Sequence, residues 1–415
     1  MRLQGKLTIA SDKSISHRGV ILGSIANGIT KISNFLTGED CIATIDCMRR
    51  LGIKIETNNS EVLIHGGKLR EFNGILDTKN SGTTTRLMSG LLSGYPFKSI
   101  INGDESLQKR PMKRVIEPLT QMGAKITALN DSFCPMEIIG GGLNGITYEL
   151  PVASAQLKSA IILAGINADG KTEIIEKEKS RDHTENMLKA MGASLSVSDN
   201  KITVFKSDNL DSLELYVPGD ISSAAFFIVA ALITKHSELL IENVGVNPTR
   251  TGIIDVLLDM GGDIALTNKR LVCGEPVADI LVKSSDLKAT KVAGEIIPTL
   301  IDEIPILAVA AAFAEGKTVF SDVSELRVKE TDRITAIINM LSVAGVKTDE
   351  ETDSFCVYGT DVIKGGIFNS FKDHRMAMSA KILSLMAMGE SQFIDFDCVA
   401  VSYPNFIETL ESVLK

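Results

Sequence analysis

Basic side chains recur in short clusters that would suit the binding of anionic substrates. Lys13 and Arg18 lie close together near the start of the chain, and Lys109–Arg114 contains four cations. Lys329 and Arg333 are four residues apart, so on a helix they would share one face. Like charges this close are unfavourable unless an anion pairs with them, and Arg and Lys are common ligands of phosphate and carboxylate groups. The clusters therefore indicate a site for two or more anionic groups.

Carboxylates able to move protons accompany these cations. Asp302 and Glu303 precede an apolar helical run, and Glu330 lies between Lys329 and Arg333. A positioned Asp or Glu can act as a general acid or base. The ordinary alternative is that such residues cap helices or form exposed salt bridges. Cations and carboxylates together favour a polar active site.

Two glycine-containing segments resemble known binding loops to different degrees. In Asn80–Arg86, small polar residues surround Gly82, which would let the backbone approach a ligand closely; an elaborate helix cap is an equal alternative. This segment lacks the P-loop pattern. Gly140–Gly145 matches the dinucleotide pattern Gly-x-Gly-x-x-Gly, but strands are predicted on both sides of it. We interpret it as a tight turn.

The composition excludes several classes of protein. The chain has 415 residues, which suits two domains, and its net charge of −9 argues against a general nucleic-acid binder. Its six cysteines form no Cys-x-x-Cys pair and its five histidines have no metal-ligand spacing, so we expect no disulfide framework, metal or cofactor. The longest apolar run, Ala224–Ile233, is shorter than the roughly 20 residues that span a membrane. We expect a soluble, cytoplasmic protein.

The chemically interesting clusters open helical stretches that recur six times along the chain. The six openings are Asp12–Arg18, Asn80–Thr84, Ser154–Gln156, Gly219–Ser223, Asp302–Glu303 and Asp373–Arg375. The turns that close these helices run from Gly28 to Gly389 at a mean period of about 72 residues, which indicates a repeated supersecondary unit. Because a helix N-terminus attracts anions, six such helices predict an anion site built from helix starts.

A second family of helices follows the first at the same period, so that each unit contains strand, helix, strand, helix, strand and strand. The sixth unit ends at its second helix, and the N-terminal strand Leu3–Ala10 is available to supply a missing edge. We predict an α/β fold of α+β repeats in two domains. Residues 12–218 form one domain of three units, and residues 219–415 with strand 1–11 form the other. The expected cleft lies between them, with a hinge near Ser11 and Pro218.

Nine motifs in order resemble the 5-enolpyruvylshikimate-3-phosphate (EPSP) synthase family. They are Asp12–Arg18, Asn80–Arg86, Lys109–Met112, Ser154–Lys158, Ser180–Glu185, Pro218–Phe227, Asp302–Pro305, Glu325–Arg333 and Asp373–Met378. The resemblance implies a two-domain inside-out α/β barrel of six βαβαββ units, three per domain. It also implies transfer of enolpyruvate from phosphoenolpyruvate to the 5-hydroxyl of shikimate 3-phosphate, with release of phosphate, in the shikimate pathway to chorismate and the aromatic amino acids. A monomer is expected, with these small anionic substrates as its partners.

The resemblance also implies roles for individual residues. The residues expected to bind shikimate 3-phosphate are Lys13, Ser14, Arg18, Ser154, Gln156, Ser180, Arg181, Asp302 and Lys329. The residues expected to bind phosphoenolpyruvate are Lys13, Gly82, Arg110, Gln156, Arg333 and Arg375. Asp302 would take the proton of the attacking hydroxyl and Glu330 would protonate the enol carbon, with Lys13 as a further catalytic residue. The fourth opening, Gly219–Ser223, receives no ligand and is expected to serve the hinge.

Some positions depart from the family pattern. Ala10 and Ser11 stand where Pro-Gly is usual, and Val401 stands where one class has a phosphoenolpyruvate-binding Lys. With Ser180-Arg181, this indicates the second bacterial class. Gly82 is retained where a larger residue would crowd the inhibitor glyphosate, so we predict inhibition by glyphosate.

Three other functions compete with this interpretation. The related enzyme that uses UDP-N-acetylglucosamine has a loop cysteine near the place of Arg110, and this chain has no cysteine between Cys47 and Cys134. An RNA 3′-phosphate cyclase would need a catalytic His and a basic face. A non-catalytic anion-binding relative is disfavoured by the presence of both Asp302 and Glu330.

Overall fold

The computed structural model describes residues 1–272 and 274–415, so Cys273, one of the six cysteines, lies outside the described residues. The chain divides into two units. The inserted unit comprises Ser11–Val217 and Val272–Glu275, and the terminal unit comprises Met1–Ala10, Pro218–Leu271 and Pro276–Lys415. Relative to the predicted division, Ser11 and Pro218 each fall on the other side of a boundary.

Fourteen α-helices occur in the described part of the chain: α1 Lys13–Ile25, α2 Glu39–Arg50, α3 Gly82–Ser93, α4 Glu105–Gln108, α5 Lys113–Gln121, α6 Ala155–Gly165, α7 His183–Ala190, α8 Ile221–Ile233, α9 Gly252–Asp259, α10 Ile297–Leu300, α11 Ile304–Ala312, α12 Arg333–Val343, α13 His374–Ser384 and α14 Phe406–Val413. The first helices of the six repeats are α1, α3, α6, α8, α11 and α13, and their starts confirm the six predicted openings. The second helices are α2, α5, α7, α9, α12 and α14.

The strands, in chain order, are β1 Gln4–Leu7, β2 Ile29–Ser33, β3 Lys54–Asn58, β4 Glu61–His65, β5 Ile75–Asp77, β6 Lys98–Asn102, β7 Lys125–Leu129, β8 Phe133–Ile139, β9 Thr147–Glu149, β10 Lys171–Ile175, β11 Leu195–Ser198, β12 Lys201–Phe205, β13 Glu214–Tyr216, β14 Glu238–Gly245, β15 Asp263–Val272, β16 Glu275–Lys283, β17 Lys291–Val292, β18 Lys317–Phe320, β19 Thr348–Glu350, β20 Phe355–Tyr358, β21 Ile363–Lys364, β22 Ile367–Asn369, β23 Ala387–Met388 and β24 Gln392–Ile394. Gly140–Gly145 falls between β8 and β9, as its interpretation as a turn requires.

Five of the six repeats form a four-stranded sheet with one pattern. The strand orders are β13-β2-β4-β3, β5-β6-β8-β7 and β9-β10-β12-β11 in the inserted unit, and β1-β14-β16-β15 and β17-β18-β20-β19 in the terminal unit. In each sheet the first strand pairs in parallel with the second, and the second pairs antiparallel with the third. The sixth repeat instead has two short parallel pairs, β21-β23 and β22-β24.

The N-terminal strand supplies a sheet edge, but it joins the sheet of the fourth repeat and not the sixth repeat, for which it was expected. Gln4–Leu7 pairs in parallel with Glu238–Ile241. Arg2 and Lys415 exchange backbone hydrogen bonds, at 3.0 and 2.9 Å, so both termini lie in the terminal unit. In the inserted unit, β13 provides the equivalent edge next to β2.

The first helices form the interior of each unit because their sequences are too apolar to face water. Every residue of α8 and of α11 is buried. A helix that is apolar on all sides must be enclosed by other elements. Since polar residues occur chiefly at the starts of such helices, the polar side chains gather where these helices begin.

Candidate active site

All fourteen residues predicted for the site are buried or half-buried, which disfavours the alternative of solvated surface charges. Arg18, Gly82, Ser180 and Arg333 are buried, and the other ten are half-buried. Several of them begin helices or follow a residue that caps one.

Side-chain capping explains five of the six first-helix starts. Asp12, Ser81, Ser154, Asp220 and Asp373 each accept a hydrogen bond from a backbone N–H two or three residues further on. Glu303, at the start of α11, makes no such bond. The alternative that Asp302 and Glu303 simply cap a helix is therefore wrong. The side chains of both residues bond to other groups.

The first helix start in the inserted unit carries two cations with different surroundings. Lys13 Nζ pairs with Asp40 Oδ2 of α2. Arg18 is buried, and its Nε and Nη2 donate to Thr184 Oγ1 at 2.7 Å and Ser159 Oγ at 2.9 Å. Arg18 therefore joins α1 to α6 and α7, whereas Lys13 remains at the half-buried edge of the cluster.

Gly82 begins α3 beside a guanidinium group. Arg86 Nη1 donates to Gln156 Oε1 at 2.7 Å, and Gln156 Nε2 donates to Thr83 Oγ1 at 2.9 Å. A Cβ at position 82 would lie 2.6 Å from Arg86 Nη1 and 3.5 Å from Arg110 Nη1. The absent side chain lets the Arg86 guanidinium lie directly against the start of α3, with Arg110 nearby. Sequence reasoning assigned no role to Arg86, although it closes the Asn80–Arg86 motif.

The basic cluster Lys109–Arg114 surrounds a turn between two helices. Since α4 ends at Gln108 and α5 begins only at Lys113, Arg110 and Pro111 lie in this turn. The backbone N–H of Met112 donates to Ser132 O at 2.6 Å, which fixes this turn. Arg110 Nη2 in turn donates to Asn80 Oδ1.

Ser180 and Arg181 have unequal access to a ligand. The Ser180 hydroxyl is buried and donates to Glu176 Oε1 at 2.6 Å, and its backbone N–H donates to the same oxygen at 3.1 Å. Arg181 is half-buried. A phosphate ligand at this position would meet Arg181 more readily than the Ser180 hydroxyl.

In the terminal unit, one carboxylate oxygen is shared by two cations. Asp302 Oδ1 is 3.2 Å from Lys329 Nζ and 3.2 Å from Arg333 Nη1. The proposed helical pairing of the two cations is wrong, because α12 begins at Arg333 and Lys329 has an extended backbone. They meet at Asp302 and not along a helix face.

Arg333 is the centre of this cluster. Its Nε donates to Asp373 Oδ2 at 2.8 Å, its Nη2 donates to Glu330 Oε2 at 2.7 Å, and its side chain is 1% exposed. Burial disfavours the charged guanidinium, but the surrounding carboxylates more than offset this and raise the pKa of Arg333. Arg333 is thus permanently cationic and holds Asp302, Glu330 and Asp373 around it.

The fourth helix start, which was expected to receive no ligand and to serve the hinge, is connected by hydrogen bonds to a predicted site residue within the terminal unit. Arg250 Nη2 donates to Asp220 Oδ1 and Ser222 Oγ, each at 2.8 Å. Ser222 Oγ donates to Glu303 Oε1, which also lies 3.2 Å from Arg375 Nη1. Arg250 is 2% exposed, so it does not belong to a solvated face of the protein. This buried chain ends at Arg375.

Arg375 joins the chain to the carboxylate cluster. Its Nη1 donates to the backbone O of Asp302 at 3.0 Å as well as to Glu303 Oε1. Glu303 was grouped with Asp302 at this helix start but received no role among the predicted site residues. Its importance could be found only by knowing that α8 and α11 pack together.

Comparisons with known proteins agree with this geometry. The model of the family described as EPSP synthase (3-phosphoshikimate 1-carboxyvinyltransferase) matches residues 1–410. The chain belongs to this family. It is 51% identical over 411 residues to a 3-phosphoshikimate 1-carboxyvinyltransferase of Thermoanaerobacter sp. (strain X514), covering 99% of this chain and 97% of the relative. It is 52% identical over 413 residues to the protein of that name from Pelobacter propionicus, covering 99% and 96%.

A solved structure extends the family match to the fold. The EPSP synthase of Acinetobacter baumannii superimposes with a TM-score of 0.89 at 43% identity, covering 99% of this chain and 96% of that one. The α/β repeat fold predicted from the sequence is therefore confirmed, as is the enzyme class. The UDP-N-acetylglucosamine and non-catalytic alternatives receive no support from these EPSP synthase matches, and the assignment to the second bacterial class stays a prediction.

Two further observations concern what this EPSP synthase family member contains. Within residues 1–272 and 274–415, no group of three or more His, Cys, Asp or Glu side chains is arranged to hold a metal ion. In the same residues, no helix has both the length and the apolar character needed to cross a membrane.

Proposed function

We propose that this protein transfers the enolpyruvyl group of phosphoenolpyruvate to the 5-hydroxyl of shikimate 3-phosphate and releases inorganic phosphate. The observation that carries the proposal is the cluster in which Asp302 Oδ1 lies 3.2 Å from both Lys329 and Arg333, with Glu330 on the same arginine. Two cations and two carboxylates at one place can bind an anion and also move protons. Membership of the EPSP synthase family supports the same reaction.

The substrates are held by the groups that the family resemblance suggested. For shikimate 3-phosphate these are Lys13, Ser14, Arg18, Ser154, Gln156, Ser180, Arg181, Asp302 and Lys329. For phosphoenolpyruvate they are Lys13, Gly82, Arg110, Gln156, Arg333 and Arg375. Arg86, which lies 2.7 Å from Gln156 Oε1, joins the second set in this proposal. Both substrates are polyanions, so clustered Arg and Lys offset their mutual repulsion.

Asp302 acts as the general base. As the 5-hydroxyl oxygen bonds to the central carbon of phosphoenolpyruvate, the hydroxyl proton passes to the Asp302 carboxylate. The cations of Lys329 and Arg333 favour the ionised form that a base requires, but they also weaken its basicity. When Lys329 turns toward bound substrate, Asp302 loses one of these two contacts and becomes the stronger base.

Glu330 acts as the general acid. It delivers a proton to the terminal carbon of the enolpyruvate, so that the central carbon becomes tetrahedral and carries both the new ether oxygen and the phosphate. Loss of phosphate and of one methyl proton then restores the double bond. In the structure Glu330 Oε2 accepts from Arg333 Nη2 at 2.7 Å, which favours the carboxylate. An anion bound at Arg333 would replace this contact and let Glu330 take up its proton.

The test is phosphate release by the purified protein given both substrates. We expect release only when shikimate 3-phosphate and phosphoenolpyruvate are present together. Asp302→Asn and Glu330→Gln should each lower kcat by roughly 10²–10⁴-fold with little change in either KM. The matched control is Glu411→Gln, which alters an exposed carboxylate on α14 and should leave kcat unchanged. Release without shikimate 3-phosphate, or normal turnover in both site variants, would refute the proposal.

The proposal includes a monomeric enzyme that works in the cytoplasm. All five described cysteines are free thiols, as expected of a protein in a reducing compartment. Light scattering coupled to gel filtration should give a mass near 44.6 kDa, and a dimer mass would contradict the monomer.

A further inference from the structure

Lys158, in the second turn of α6, is a buried cation that ends the Ser154–Lys158 motif and has no role in the proposed reaction. Its side chain is 1% exposed. The ammonium Nζ lies 2.8 Å from Glu185 Oε1 and 3.0 Å from Glu176 Oε2, and it donates to the backbone O of Ser180 at 3.1 Å. All of the hydrogen atoms of one ammonium group are therefore directed at the segment Glu176–Glu185.

Glu176 continues this arrangement to the residue next to Arg181. While one of its oxygens pairs with Lys158, the other accepts from both the N–H and the hydroxyl of Ser180, at 3.1 and 2.6 Å. Ser180 is thus held by its carbonyl, its N–H and its hydroxyl. The stretch before it, Lys177–Lys179, is exposed and bends without taking part in these hydrogen bonds.

A parallel contact fixes the far end of the segment. Ser159 and Thr184, the chain neighbours of Lys158 and Glu185, are hydrogen-bonded to each other at 2.7 Å, and Arg18 donates to both. The start of α7 is consequently joined to α6 by two adjacent polar pairs. Between Ser180 and α7 the chain has only Arg181 and Asp182, so the position of the Arg181 backbone is set from both sides.

The charge balance argues that this group is more than a stabilising ion pair. A buried ion pair is often matched or exceeded in stability by apolar residues of similar volume. Burial disfavours the ammonium, yet Glu185 and Glu176 raise the pKa of Lys158 and keep it charged. Burial likewise raises the pKa of Glu185, against the attraction of Lys158. The ammonium of Lys158 therefore stays charged at the point where Glu176, Glu185 and the Ser180 carbonyl converge.

We infer that Lys158 is a positioning residue that holds Ser180 and thereby sets Arg181 for the phosphate group of shikimate 3-phosphate. The inference rests on the proposed function, in which Arg181 is a ligand of that phosphate. Lys158 itself touches no substrate, and it acts through Glu176 and the Ser180 backbone.

The test compares steady-state kinetics with proteolysis of the full chain. The variant Lys158→Met, Glu176→Gln removes the ammonium together with the carboxylate that binds Ser180. Burial already raises the pKa of Glu185, so this remaining carboxyl can take up a proton once Lys158 is gone. We expect the KM for shikimate 3-phosphate to rise about tenfold, with kcat and the KM for phosphoenolpyruvate within about twofold of wild type. Trypsin should cleave after Lys177, Lys179 or Arg181 several-fold faster, because the segment is released.

Three controls keep the inference falsifiable. Lys201→Met removes a partly exposed ion pair to Glu173, between the neighbouring strands β12 and β10, and should change neither readout. Glu176→Gln alone preserves the side-chain shape and should give a smaller rise in the KM for shikimate 3-phosphate and in the rate of proteolysis. This single variant also provides the test if the double variant does not fold. Adding Arg181→Ala to the double variant should give little further loss, because both changes disable one contact.

The outcomes separate the inference from the proposed function. An unchanged KM with unchanged proteolysis would overturn the positioning role, and so would an equal loss in kcat and in both KM values, which indicates general destabilisation. Faster proteolysis with an unchanged KM would also overturn it, since Arg181 would then not depend on the segment. If the proposed function itself fails, the wild type shows no phosphate release that depends on shikimate 3-phosphate.

Discussion

The acid sensitivity of the inserted unit should depend strongly on His17. The His17 ring on α1 is fully buried, with Nδ1 2.7 Å from Thr44 Oγ1, and within the described residues its Nε2 has no hydrogen-bond partner. Burial lowers the pKa of His17 from 6.5 to about 3; Asp40 opposes this shift, and Lys13 and Arg18 add to it. A proton on this ring would therefore be unfavourable in the folded protein.

The sign and size of the effect follow from proton linkage. Since the pKa of His17 is lower in the folded state, the unfolded chain binds its proton first, and the histidine's contribution to stability is complete above pH 6.5 and lost as the pH falls toward 3. A pH of 4 is about 2.5 units below the pKa of the ring in the unfolded chain, so the unfolded ring is protonated there. The folded ring stays neutral at the same pH. At about 1.36 kcal/mol per unit, folding loses about 3 kcal/mol between pH 7 and pH 4 from this group.

The assay is urea unfolding at pH 7, 5.5 and 4, followed by circular dichroism because the chain has no Trp. His17→Gln can keep a hydrogen bond to Thr44 but cannot take up the proton. We expect its free energy of unfolding to fall less between pH 7 and pH 4 than that of the wild type, by about 3 kcal/mol. His236→Asn, at an exposed turn with φ 63°, is the control and should follow the wild type. Parallel curves for His17→Gln and wild type would refute the reasoning.

Three further predictions concern the site. Gly82→Ala would place Cβ 2.6 Å from Arg86 Nη1, so the KM for phosphoenolpyruvate and the inhibition constant for glyphosate should both rise several-fold while the KM for shikimate 3-phosphate stays unchanged in steady-state assays. The wild type should be inhibited by glyphosate competitively with phosphoenolpyruvate, and indifference at millimolar inhibitor would contradict this. Arg250→Met leaves Asp220 without its buried cation and should lower the free energy of unfolding in urea by about 3–5 kcal/mol, whereas Lys98→Met, at an exposed pair, should cost less than about 1 kcal/mol.

Local signals account for the parts of the fold that could be predicted. A helix start needs only a capping side chain and the residues directly after it, so Asp12, Ser81 and Asp373 could be recognised from short segments. The apolar runs of α8 and α11 likewise required burial wherever they lay. The repeat spacing then linked these local features into one architecture.

Side-chain partners were less predictable because they depend on which helices pack together. Helical spacing suggested that Lys329 and Arg333 share a face, yet the chain is extended at Lys329 and the two meet at Asp302. The charged residues next to Lys329 and Arg333 in the sequence did not indicate their contact with Asp302. A short motif contains no information about a residue about 30 positions away. The same holds for Ser180, whose carbonyl accepts a hydrogen bond from Lys158, 22 positions earlier in the chain.

The sequence by itself determined the six helix starts, the two-fold grouping of repeats and the family, because capping, burial and motif order are properties of neighbouring residues. Only the tertiary structure decided that Arg250, Asp220, Ser222 and Glu303 form a buried chain to Arg375, and that Lys158 holds Ser180. Ser222 and Glu303 are 81 residues apart, and their contact exists because α8 and α11 pack together in one core. A charge buried in such a core must find its partner in space, and that choice is made by packing and not by position along the chain.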